Sequence, residues 1–240
     1  MPQDNPSVRP VAVIVAHGQP SDPAPAEAEI AELAARVAAL VPEIDVRSAT
    51  LATDGALAVA VSGAERVVVY PLFMADGWFT ETHLPSRLIA AGADEVCRLA
   101  PFGLDPAVQD LTLALAAEAA ARIGLPPHRA SVLLAAHGSF RSDAPAAVAR
   151  AMAARIAAEG GFAKVEPAFI EQTPRIADVA RGFGAATICL PFFAARGGHV
   201  TEDLPAALAE AGFAGQLVDP VGLDHRVPGL IAATLRAAIG

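Results

Sequence analysis

Basic residues are the minority in this chain: 17 Lys and Arg stand against 26 Asp and Glu, for a formal charge of −9. That balance excludes a sequence-independent grip on nucleic acid, which needs clustered cations against phosphate. Long apolar runs are also missing. Gly, Pro or charge breaks each one, so no segment reads as a membrane span. The opening MPQDNPSVRP is polar, which argues against a secretory leader. No Gly-rich phosphate loop follows a strand in either half, so no nucleotide is implied. Cysteine occurs twice, at Cys97 and Cys189, each inside a strand-like stretch and each reading as a buried thiol. Tryptophan occurs once, at Trp78. These absences lead to the expectation of a soluble cytoplasmic protein with no membrane or nucleic-acid partner.

What is present is apolar material, 54% of a 240-residue chain, much of it alanine suited to close packing of helices on a sheet. The length suits one large domain or two small ones. Internal repetition decides between them. VAVIVAHGQ holds His17 and SVLLAAHGS holds His137, 120 residues apart. Pro71 and Pro191 keep the same spacing, as do Pro85 and Pro205, and PFGLD at 101–105 matches PVGLD at 220–224. The chain is therefore two copies of one unit, expected at residues 1–124 and 129–240. IGLPPHR joins them, because Gly124, Pro126 and Pro127 break a helix.

Both copies show the same pattern. An apolar run suited to a strand buried on both faces comes first. A long Ala-rich helical pattern follows near 24–40 and 143–158. Second strands are expected near 44–51 and 164–170, and third strands in RVVVYPLF and ATICLPFF. A helix starts near Thr80 or Thr201, fourth strands lie near 95–100 and 215–219, and closing helices span 105–122 and 225–238. Strand alternating with helix predicts an α/β fold: two tandem repeats, each a parallel sheet with helices on both faces. Right-handed crossovers bring the strand carboxyl ends to one edge, where ligands bind.

In the second copy His137 ends the first strand, Glu171 ends the second and His199 lies in the loop RGGHVTEDLP after the third. Two imidazoles and a carboxylate suit a borderline divalent metal, with positions left open for exchange. Each has an ordinary alternative; Glu171, for instance, could cap the turn before Pro174. Convergence on one crevice favours the metal reading. Gly197 and Gly198 suit either close approach of a flat ligand or a tight turn. Thr201, Glu202, Asp203 and Pro205 read as a plain helix start. His128 and His225 read as surface residues.

The first copy keeps His17. It has Leu51 at the position aligned with Glu171, Phe79 for His199 and His83 for Asp203. Its metal site reads as lost, or as rebuilt from His17, Glu81 and His83. Trp78, Phe79 and Met74 could then wall a planar ligand, or could simply pack.

A strand ending in AHGS, a second ending near FIE and the segment PFFAARGGHVTEDLP resemble the sirohydrochlorin chelatases of the CbiX/SirB type. The doubled layout resembles the long form of that family. The resemblance implies insertion of cobalt or ferrous iron into sirohydrochlorin or a related tetrapyrrole, toward cobalamin or siroheme. It implies His137, Glu171 and His199 as metal ligands and catalytic residues. In long members the metal set is expected in the first copy; here the complete set lies in the second. The divalent metal is a substrate, and Glu171 or His137 would accept the pyrrole protons. Arg141 and Arg196 flank the histidine loops and would grip substrate carboxylates. His17, Trp78 and Phe79 would line the macrocycle surface. The alternative is a non-catalytic metal or tetrapyrrole binder. A homo-oligomer is left open.

Overall fold

The computed structural model describes residues 9–93 and 95–240. Residues 1–8, read above for a leader, therefore lie outside the described residues. The first copy runs β1 (Val11–Ala16), α1 (Pro23–Leu40), β2 (Asp45–Thr50), α2 (Ala56–Val61), β3 (Val67–Pro71), α3 (Leu84–Ala90), β4 (Val96–Arg98) and α4 (Pro106–Arg122). The second runs β5 (Ser131–Ala136), α5 (Ala144–Glu159), β6 (Lys164–Phe169), α6 (Ile176–Ala180), β7 (Thr187–Pro191), α7 (Leu204–Glu210), β8 (Gln216–Leu217) and α8 (Val227–Ile239). Two parallel four-stranded sheets result, ordered β2-β1-β3-β4 and β6-β5-β7-β8. In β3 and in β7 every residue is buried. Successive side chains point to opposite faces, so both faces of each sheet are covered. Among the described residues, no helix is long and apolar enough to cross a membrane.

The compact units do not follow the copies. Unit 1 joins residues up to Leu72, Trp78–Ala100 and Pro228–Gly240; unit 2 joins Phe73–Gly77 and Pro101–Val227. Each copy thus sends its closing helix to the other copy's unit. A helix belongs where its apolar stripe is buried: α4 packs on β7 and α5, with Val108, Leu111 and Leu115 buried. In unit 1, Arg236 of α8 donates to Glu43 Oε1 at 2.6 Å.

The PFGLD and PVGLD repeats form matching joints within unit 2. Gly103 N–H donates to Phe73 O, and Gly222 N–H donates to Phe193 O. A Cβ on Gly222 would lie 1.9 Å from Ala194 O, and one on Gly103 would lie 2.2 Å from Met74 O. The aspartate closing the first motif caps α4, its Oδ1 accepting from Ala107 N–H at 2.9 Å. Asp224, closing the second, accepts from Arg226 Nε at 2.7 Å, and that guanidinium also donates to Glu118 Oε1 at 2.7 Å.

One expectation is corrected. Cys189 is buried, and burial pushes its thiol pKa up to about 12. Cys97 is exposed, because β4 is a three-residue strand at the edge of its sheet.

The tight joint predicts that Gly222→Ala destabilises the protein by about 1–3 kcal/mol, since backbone must shift to admit the methyl group; thermal unfolding checks it. A second outcome concerns acid. Burial raises the Asp224 pKa, but hydrogen bonds from the Arg226 side chain and backbone outweigh it and hold the carboxyl below its usual value. The hydrogen bond from Arg226 likewise lowers Glu118. Both contributions are full above the unfolded carboxylate range, about pH 4, and fade as pH falls through the depressed folded values. Denaturant unfolding at stepped pH is therefore expected to show a decline below about pH 4 that Arg226→Met flattens.

Candidate metal centre

In unit 2 the chain leaves β5 to one side for β6 and to the other for β7. Such a reversal of strand order opens a crevice beyond the carboxyl ends of the strands. His137 follows β5 directly, Glu171 lies two residues past β6, and His199 opens the π-helical turn His199–Asp203 that leads into α7. Glu171 N–H donates to His137 O at 2.9 Å, which carries the β5–β6 ladder one rung beyond the strands.

Ligand-capable atoms of His137, Glu171 and His199 all lie within 4.8 Å of one another. Among the described residues this is the one group of three or more His, Cys, Asp or Glu so placed. The two imidazoles meet edge to face, centroids 4.3 Å apart, and His137 Nε2 lies 3.8 Å from Glu171 Oε1. Donors sharing one ion at bond lengths of about 2.1 Å can be at most about 4.2 Å apart, so a small inward rotation closes the set. The side chains of His137, Glu171 and His199 are 40%, 32% and 42% exposed. An ion held there stays accessible to exchange.

Hydrogen bonds settle which nitrogens face inward. His137 Nδ1 lies 2.7 Å from Gly138 O, and His199 Nδ1 lies 2.6 Å from Asp203 Oδ2. A carbonyl and a carboxylate can only accept, so Nδ1–H donates in both rings and each Nε2 keeps its lone pair for a ligand. The carboxylate behind His199 fixes the ring's orientation, as the usual outer partner of a metal-binding imidazole does. The Asp203 role went unread in the sequence, where Thr201, Glu202 and Asp203 passed for a plain helix start. In fact no side chain caps this turn, and the Thr201 hydroxyl donates backward to Gly197 O at 3.3 Å. The available signal was the i, i+4 spacing of His199 and Asp203 on one helical face.

The loop carrying His137 is pinned. Gly138 adopts φ +70°, and a Cβ there would lie 2.8 Å from Gln172 Cγ and 3.0 Å from Phe169 Cβ. Gln172 Oε1 accepts from Ser139 N–H at 2.7 Å, so Gln172 braces the loop after β5.

Arg141 and Arg196 are exposed in the loops after β5 and β7, and Arg141 N–H donates to Ser139 Oγ at 3.1 Å. His128 and His225 are exposed, as expected. In unit 1 the ring of His17 lies 4.3 Å from that of Phe79, the spacing of His137 and His199. Trp78 stacks on His83 at 4.8 Å. His17, Glu81 and His83 form no three-ligand group. Met74 belongs to unit 2, and Trp78 and Phe79 belong to unit 1. Register also corrects one alignment. Leu51 N–H donates to Ala16 O and Ala52 N–H to His17 O, as Ile170 and Glu171 do to Ala136 and His137. The residue standing where Glu171 stands is therefore Ala52, not Leu51. A one-residue difference in the segment between the first two strands hid this from a constant spacing.

The CbiX family model matches residues 11–119 and again 131–238. The solved structure of CbiX, the terminal enzyme for biosynthesis of siroheme in denitrifying bacteria, is 51% identical, with TM-score 0.89; the match covers 95% of this chain and 99% of that one. SirB from Bacillus subtilis with Fe3+ is 17% identical, with TM-score 0.74 and 95% of each chain covered. The sirohydrochlorin chelatase SirB from Bacillus subtilis subspecies spizizenii, in complex with cobalt, is 16% identical, with TM-score 0.69, over 95% of this chain and 94% of that one. At such identities the SirB structures share the fold. No curated protein matches the sequence.

The His199–Asp203 pair predicts that Asp203→Ala weakens binding of divalent cobalt by about 10–100-fold, while Asp203→Asn, which keeps an acceptor oxygen, loses less. Titration followed by the cobalt d–d absorption bands checks both.

Proposed function

The chain belongs to the CbiX family, and on that premise we propose that it is a sirohydrochlorin chelatase that inserts a divalent metal into the macrocycle. The carrying observation is the convergence of His137, Glu171 and His199 at the carboxyl edge of the unit 2 sheet. The 51% identical relative acts in siroheme synthesis, which favours ferrous iron as the physiological ion. The same donors suit cobalt, the ion of a cobalamin route.

The chemistry asks three things of the protein. The incoming ion must be positioned but released, and three donors with open coordination positions provide this. Two pyrrole N–H protons must leave as the metal enters. Glu171 supplies a carboxylate beside the ion, and His137, whose Nε2 lone pair is freed as the ion passes to the macrocycle, is the second candidate acceptor. The substrate must also be oriented. It carries many carboxylates, and Arg141 and Arg196, which border the histidine loops, are the proposed grips.

Anaerobic absorbance spectroscopy of sirohydrochlorin with ferrous or cobalt ion tests this. Wild type should complete many turnovers above the uncatalysed rate, and His199→Ala should lower kcat/KM by at least about 100-fold, beyond the usual effect of an outer-shell partner. Wild type no faster than free metal would overturn the reading. Activity surviving the substitution would remove the metal centre from unit 2.

A further inference from the structure

Phe140 is 73% exposed, three residues past His137. Its ring stands exposed on a fixed loop. The loop is fixed: His137 Nδ1 donates to Gly138 O, Ser139 N–H to Gln172 Oε1 and Arg141 N–H to Ser139 Oγ. The Arg175 guanidinium lies 5.6 Å from the Phe140 ring centroid and also donates to Ile170 O, the residue before Glu171. Ring and guanidinium therefore border the ligands supplied by β5 and by β6.

The first copy supplies an internal control. Pro20 stands at the place of Phe140, and Gly55, at the helix start, at the place of Arg175. The copy that gathers three metal ligands has both side chains; the copy that does not has neither.

Resting on the chelatase reading, we propose that Phe140 and Arg175 form the substrate rim of the metal centre. The Phe140 ring lies against the flat face of the macrocycle, and Arg175 meets a peripheral carboxylate. An aromatic face backed by a cation suits a planar polyanion, and local cations are scarce on a chain of net charge −9.

Two titrations of the full-length protein test this, neither requiring turnover: metal-free sirohydrochlorin followed by absorbance, and divalent cobalt alone. Phe140→Ala should raise the Kd for the macrocycle roughly tenfold and leave cobalt affinity unchanged. Phe140→Trp should restore macrocycle binding and Phe140→Leu should not. Arg175→Met should weaken the macrocycle alone. Unchanged macrocycle binding in Phe140→Ala, a parallel loss of cobalt, or rescue by leucine as full as by tryptophan would each overturn the proposal. Wild type that binds the macrocycle through Phe140 but shows no turnover would sink the chelatase reading and leave the rim standing. Wild type that binds no macrocycle would sink both.

Discussion

Parallel strands buried on both faces must hydrogen-bond along their whole length, because an unpaired backbone group there has no water to turn to. That requirement sets the position of everything beyond their ends. Ala136 pairs with Phe169 and Ala135 with Pro191, so the loops after β5, β6 and β7 start from fixed and adjacent points. The extra rung from Glu171 N–H to His137 O then seats two donors side by side. Residues 34 and 62 positions from His137 become its neighbours without any local motif among the three.

Around that frame the side chains are held from behind rather than buried. Gly138 O and Asp203 take the outer imidazole nitrogens, and Gln172 braces the loop. Orientation comes from hydrogen bonds, which leaves the inner nitrogens and the carboxylate open to the crevice. An enclosed, dry site would hold an ion tightly, as structural metal sites do. A half-exposed site with oriented donors fits an ion that must pass on to another ligand.

The two copies share a scaffold but not a set of donors. Unit 1 retains the strand order, the positive-φ glycine after β1 and the π-helical turn at Phe79–His83. It even retains the 4.3 Å spacing of rings, with Phe79 in place of His199. What it lacks are the donors: Ala52 offers no carboxylate and Phe79 no nitrogen. Backbone geometry is thus common to both copies where ligand identity is not, since the sheet needs the first and not the second.

The sequence by itself determined the doubling, the strand–helix order and the three residues that meet, because apolar periodicity and repeat spacing are local signals and strand ends in a parallel sheet share an edge. Only tertiary structure decided what depends on contacts between distant segments. It paired β1 with β2 in a register that puts Ala52 opposite His17. It turned Asp203 from a helix-start acid into the partner of His199, and set Arg175 over Phe140. It exposed Cys97 at a sheet edge, and it assigned α4 and α8 to units other than those of their own copies. None of these has a signature in neighbouring residues; each follows from which surface a segment finds to bury itself against.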